Sequence, residues 1–169
     1  MKHTRNLLLL GVFALLGILL VAGLAGCGGG APKVDWELEI SGAVNKPLTL
    51  SYSELAKMPQ IDLKDILMEK SLGEDVVTSW TGVKLDEILS QAEANPDYVG
   101  VTAVAADGYA VEISKEELQD SIVALQENKE WIATADQDHG PIRLVCPHTP
   151  ANRWVFQLQE LQVNEAGAQ

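Results

Sequence analysis

Residues 136–156 read Asp136-Gln137-Asp138-His139-Gly140-Pro141-Ile142-Arg143-Leu144-Val145-Cys146-Pro147-His148-Thr149-Pro150-Ala151-Asn152-Arg153-Trp154-Val155-Phe156. Gly140-Pro141 marks a turn, and Ile142 to Cys146 is an apolar run interrupted only by Arg143. Pro147 and Pro150 hold the following loop open, and Arg153 to Leu158 extends again. No helical spacing of apolar residues runs through the stretch, so it reads as short strands joined by loops. It also concentrates the chemistry. Beyond residue 26, both histidines and both arginines lie here, together with Cys146.

Outward from this stretch the same texture continues. Val34, Trp36, Leu38 and Ile40 alternate with acidic residues, predicting a strand with one wet face. Gly42 to Pro47 reads as a turn, and Leu48 to Ser51 extends. Ser51 and Glu54 have capping-box spacing for a short helix closed by Pro59. Ile61 to Glu69 is strand-like, and Val76 to Thr81 is β-rich and ends at Gly82. Leu85, Ile88 and Leu89 predict an amphipathic helix over 84–94, stopped at Asn95-Pro96. Val99 to Ala106 and Tyr109 to Ile113 flank Asp107-Gly108, a hairpin signal. Ser114 and Glu117 form a second capping box, with a short helix expected. Ile122 to Leu125 and Trp131 to Ala133 read as strands, as does Leu161 to Val163. Many strands with scattered short helices and no regular βαβ alternation predict an α+β fold, β-rich with short peripheral helices.

The N-terminus sets an expected compartment. Lys2, His3 and Arg5 precede an uncharged apolar stretch from Leu7 to Leu24, followed by Leu24-Ala25-Gly26-Cys27. A basic head, an apolar segment and a small-residue cleavage site describe a secretory signal peptide. The tetrapeptide resembles the bacterial lipobox, which implies cleavage after residue 26 and a lipid on Cys27. An uncleaved transmembrane anchor is the other reading. Both place the domain outside the cytoplasm, with contact to the membrane through the N-terminus. Residues 27–35 then form a lipidated Cys and flexible tether, since Gly28-Gly29-Gly30 holds neither helix nor strand. Cleavage removes Lys2 and Arg5 from the formal −12, leaving 143 residues at −14. That acidity excludes nucleic acid as a partner class and opposes electrostatic docking on anionic lipid.

Gly-rich phosphate loops, paired-His zinc motifs and Gly-x-Ser-x-Gly elbows are absent from the sequence. No residue is assigned a catalytic role and no metal-ligand set is assigned. Within 136–154, Arg143 and Arg153 are of the type that grips an anion bidentately, and Arg153 can instead pair with a carboxylate. His139 can serve a site or bond the Gly140-Pro141 turn. His148, in a loop on a rigid scaffold, is open to binding or structural roles. Cys146 reads as a small apolar residue in a buried strand, with metal ligation beside His148 as the sharper alternative. The tryptophans at 36, 80, 131 and 154 read as core.

Taken together these segments resemble the molybdopterin-binding domain of the sulfite oxidase family. His139-Gly140-Pro141-Ile142-Arg143-Leu144-Val145-Cys146-Pro147 is similar to that family's H-G-x-P-V-R-V-V-V-P, one residue shorter. Arg153-Trp154-Val155-Phe156 falls where the family reads R-x-V-K-W. Asp107-Gly108-Tyr109 matches its D-G-Y hairpin, and Trp80-Thr81-Gly82-Val83-Lys84-Leu85 its W-x-G-V-x-L. The resemblance covers about residues 36–164 and implies a molybdopterin-binding-like domain over 36–169. It implies molybdopterin as cofactor and Arg153 and His139 as contacts, with His148 beside them as a third cofactor-binding candidate. In that family a Cys before the W-x-G motif ligates molybdenum. Ile61 to Ser79 contains none here, and Phe156 replaces the family's Lys.

The resulting expectation is an extracytoplasmic, lipid-anchored protein with a sulfite oxidase-type domain. Oxygen-atom or electron transfer is implied by the resemblance, without the usual Cys-ligated molybdenum, and with a redox or surface protein as partner. The alternative is a non-catalytic surface binding module that reuses the fold for a small ligand, a metal or a protein.

Overall fold

The computed structural model describes residues 30–167. The leader segment, the lipobox and Cys27 lie outside the described residues. Strand β1 (Glu37–Gly42) buries Leu38 and Ile40 and exposes the acidic residues between them, as period-two patterning requires. It pairs antiparallel with β2 (Leu48–Ser51) and parallel with β11 (Leu158–Asn164). The sheet continues through β5 (Gly100–Ala105) to β6 (Ala110–Ser114), giving the order β2-β1-β11-β5-β6. At the β5–β6 hairpin Gly108 takes φ +86 and the Asp107 carboxylate accepts from the Tyr109 N–H at 2.8 Å. A left-handed residue there favours glycine.

The second sheet contains β3 (Gln60–Met68), β4 (Val76–Lys84), β7 (Ile122–Glu127), β9 (Arg143–Val145) and β10 (Val155–Phe156), with β8 (Glu130–Trp131) beside β7. Its pairings are antiparallel, in the order β10-β9-β7-β4-β3. The helices are short: α1 (Tyr52–Leu55), α2 (Leu85–Gln91) and α3 (Ile132–Ala135). One hydrophobic cluster joins the sheets, with Leu38, Val101 and Leu161 from the first and Val83, Val123, Leu144 and Val155 from the second. This is the α+β, β-rich arrangement with short peripheral helices that the patterning predicts.

Four local expectations are corrected. Strand β4 does not end at Gly82 but runs on to Lys84. Gly82 is there because β7 passes so close that a Cβ would lie 2.2 Å from the Val123 carbonyl oxygen. The second capping box is formed, with Ser114 N–H on the Glu117 carboxylate at 2.9 Å, yet residues 115–120 are turns rather than helix. Trp131 to Ala133 is not one strand, because β8 gives way to α3 at Ile132. Arg153 does not open a strand. It ends a 3-10 turn over Ala151–Arg153, and the extended segment is split between β10 and β11 by Gln157 at φ +46.

Candidate functional site

Register decides what the second sheet presents on each face. Val83, Val123, Leu144 and Val155 form one row across β4, β7, β9 and β10, fully buried in the core. Directly paired residues share a face, so the next row, Gly82, Ala124, Arg143 and Phe156, lies on the opposite one. Trp80, two residues before Gly82, faces the same way. The two members on the β4 side of Arg143, Gly82 and Ala124, are small. Arg143 can therefore reach across Ala124 toward Trp80, placing its guanidinium carbon 4.7 Å from the indole centroid.

The guanidinium also lies 3.5 Å from the ring centroid of Phe156. Arg143 is 3% exposed, Trp80 is 0% exposed and Phe156 is 37% exposed. The indole is thus the inner wall and the phenyl the outer one. Cation–π attraction suits the rings, but it satisfies none of the N–H donors. Nε has no hydrogen-bond partner, and among the described residues Arg143 makes no ion pair. Burial lowers its pKa to about 10, with Glu127 and Asp136 opposing the shift at longer range. It remains a cation at neutral pH, without the partner that a buried charge ordinarily has.

Around this group, Trp154 packs edge-on against Trp80 at 5.8 Å and donates its indole N–H to the Cys146 carbonyl at 2.8 Å. His139 lies 4.9 Å from the Phe156 ring, and its Nδ1 is 2.9 Å from both carboxylate oxygens of Asp136. His139 therefore stands at the rim of the Arg143 site.

The other two predicted contacts lie elsewhere. Arg153 faces a cleft of about 620 Å³ bordered by Tyr109, Glu112 and Glu117. Its Nη2 donates to the Glu117 carboxylate at 2.8 Å and the Glu112 carbonyl at 2.7 Å. Since β6 is an edge strand, that second bond closes part of an open sheet edge. His148 lines a separate pocket of about 260 Å³ and bonds the Asp120 carboxylate at 3.0 Å. The structure thus brings His139 to Arg143 but not Arg153 or His148. Cys146 does not line the His148 pocket either. Its thiol is fully buried, and burial pushes its pKa up to about 11, so at neutral pH it is not a thiolate. Among the described residues no three His, Cys, Asp or Glu side chains converge as a metal site. The sequence places Arg143 in the 136–156 stretch, but the arginine expected there as a cofactor contact is Arg153 and not Arg143. The available signal was a lone cation inside an apolar strand run.

The Arg153–Glu117 pair gives a pH prediction. The Ser114 backbone N–H, with Arg153 and the Ser114 hydroxyl adding to it against desolvation, holds the Glu117 carboxyl below its ordinary 4.5. A depressed carboxyl stabilises the fold fully above the unfolded value and loses that contribution as pH falls through the folded one. Urea midpoints of wild type should therefore fall more steeply below pH 4.5 than those of Glu117→Gln. At neutral pH the pair is about one-third exposed and contributes about 0.2–1 kcal/mol. Identical acid limbs would disprove the assignment.

Residues 29–169 match the family described as oxidoreductase molybdopterin binding domain. Among curated relatives, a nitrate reductase [NADH] of Volvox carteri is 27% identical over 83% of this chain and 20% of its own length. The uncharacterized oxidoreductase YuiH of Bacillus subtilis (strain 168) is 23% identical over 78% of this chain and 68% of its own. The chain thus spans one fifth of the nitrate reductase it matches. Among solved structures, the sulfane dehydrogenase SoxCD from Paracoccus pantotrophus shares the fold. Its TM-score is 0.69 at 23% identity, covering 80% of this chain and 40% of that one.

Proposed function

Because this chain belongs to the oxidoreductase molybdopterin-binding domain family, we propose that it holds the anionic end of a molybdopterin on the Arg143 guanidinium. The observation that carries this is a cation 3% exposed whose Nε has no partner. A phosphate monoester would supply the missing acceptors in charge-assisted bonds. The residues present therefore fit the anionic part of the group. Trp80 holds the guanidinium plane from within, and the Asp136 carboxylate orients the His139 ring at the rim. When bound, such a cofactor supplies electron or oxygen-atom transfer chemistry.

The donor set for a metal is a different matter. The chain contains two cysteines, and none falls between Ile61 and Ser79. Cys146, being buried and protonated, is no substitute. The chain is accordingly a pterin-holding domain without a Cys-ligated molybdenum. The same missing thiolate favours the second reading, a non-catalytic module that reuses the pocket. The N-terminal features support an extracytoplasmic protein tethered by lipid on Cys27, positioned to meet a redox or surface protein partner.

The test is expression of the whole chain in a host that makes the cofactor. Purified wild type should carry pterin, measured by fluorescence after oxidation, and Arg143→Gln should carry about tenfold less or none. Pterin without molybdenum by elemental analysis would select the non-catalytic reading. Pterin content equal in the two proteins, or absent from both, would overturn the role of Arg143.

A further inference from the structure

We infer that Phe156 is a displaceable cover on the Arg143 anion site, so that the site is closed until an incoming anion moves the ring. This rests on the reading of Arg143 as the anion-holding group and adds the residue that controls access to it.

The phenyl ring is a partly exposed group lying directly on a guanidinium that is itself 3% exposed. It lies 3.5 Å from the guanidinium carbon, while the opposite wall is the fully buried Trp80. An oxyanion bonds the guanidinium N–H groups in their plane, and with Arg143 3% exposed the ring has to turn aside before one can reach them. The cover is also held lightly. Strand β10 is two residues long, lies at the edge of its sheet and pairs only with β9, through Val155↔Leu144 and Phe156↔Arg143. Val155 is fully buried, which anchors one side of the strand, whereas Phe156 is more than one third exposed. The next residue, Gln157, has a positive φ of 46°, where the chain turns from β10 into β11. Rotation of the phenyl outward therefore disturbs no buried packing on its solvent side. It gives up the stacking on Arg143 and the tilted contact with His139 at 4.9 Å.

A site whose competent form is a minor population binds with affinity reduced by that fraction. The stacking that must be broken corresponds to about a two- to thirty-fold penalty. Removing the ring should return it. The experiment titrates inorganic phosphate, at constant ionic strength against chloride, into wild type, Phe156→Ala, Phe156→Leu and Arg143→Gln. Binding is read by tryptophan fluorescence, since Trp80 lies on the guanidinium, and by calorimetry. Phe156→Ala should bind about two- to thirty-fold more tightly than wild type. Phe156→Leu, which keeps bulk without a π face, should fall between them, and Arg143→Gln should not bind. Arg143-dependent binding of equal strength in wild type and Phe156→Ala would overturn the cover and leave the anion site standing. Absence of Arg143-dependent binding in every variant would overturn the anion site itself. Both results remain readable because Phe156 is exposed and its truncation leaves the core intact.

Discussion

Arg143→Met should make this protein more stable, by about 1–2 kcal/mol, while abolishing its retention of pterin. A structural arginine behaves in the opposite way, since its removal strands the acceptors it served. Here no described carboxylate pairs with Arg143 at ion-pair distance. The folded state carries the desolvation of a guanidinium that is 3% exposed, together with an unpartnered Nε. Stacking on Trp80 and Phe156 offsets part of that. The sign of the balance follows from that uncompensated burial, and the lowering of the pKa by burial, to about 10 from 12.5, runs in the same direction. The charged form is therefore better accommodated in the unfolded chain than in the folded one. Methionine has comparable length, fills the lane over Ala124 and keeps a favourable sulfur–aromatic contact. Urea unfolding with unchanged slope and a higher midpoint is the expected readout. A loss of more than about 1 kcal/mol would mean that Arg143 holds the fold together and is not kept for a ligand.

The second large effect is expected at Gly82. Its Cβ would sit 2.2 Å from the Val123 oxygen, 2.6 Å from the Ala124 Cα and 2.7 Å from the Val123 carbonyl carbon. All three are backbone atoms of β7, the neighbouring strand inside the sheet, so no side chain can rotate away. The approach coincides with the register shift between Thr81 and Gly82, where a bulge presses one strand against the next. Gly82→Ala should cost more than about 4 kcal/mol, enough to prevent folding of a domain of ordinary stability. Loss of β-sheet circular dichroism or of soluble protein would show it. Wild-type stability in the alanine variant would show that the strands are not this close. Any folded remnant should also bind anion poorly, because β7 carries the Ala124 floor over which Arg143 reaches.

These expectations divide between what patterning reveals and what register reveals. The alternation in Leu38 and Ile40, the Asp107-Gly108 turn, the first capping box and the spacing of Leu85, Ile88 and Leu89 are local signals, and the strand, turn and helices they announce are present. The family was legible for the same reason, through ordered short motifs along one chain. Errors fell where local preference yields to distant contacts. Gly82 looks like a strand end because glycine weakens strands, but β7 requires it in mid-strand. Ser114 and Glu117 make their box, yet Glu117 is shared with Arg153 from a remote turn. Among the cationic candidates, Arg153 resembled a ligand-binding residue by motif, and its carboxylate partner on Glu117 is invisible in sequence. Arg143 looked like an interruption in an apolar run.

From the amino-acid order alone came the strand succession, the fold class, the family and the shortage of thiolate between Ile61 and Ser79. Those properties depend on neighbours in the chain. Tertiary structure alone decided which arginine is unpaired. That outcome depends on Gly82 and Ala124 lying in one cross-strand row with Arg143 and Phe156. It depends equally on Trp80 closing the row from within. A period of two tells which residues share a face, but the electrostatic fate of a cation on that face is set by whatever distant strands place over it.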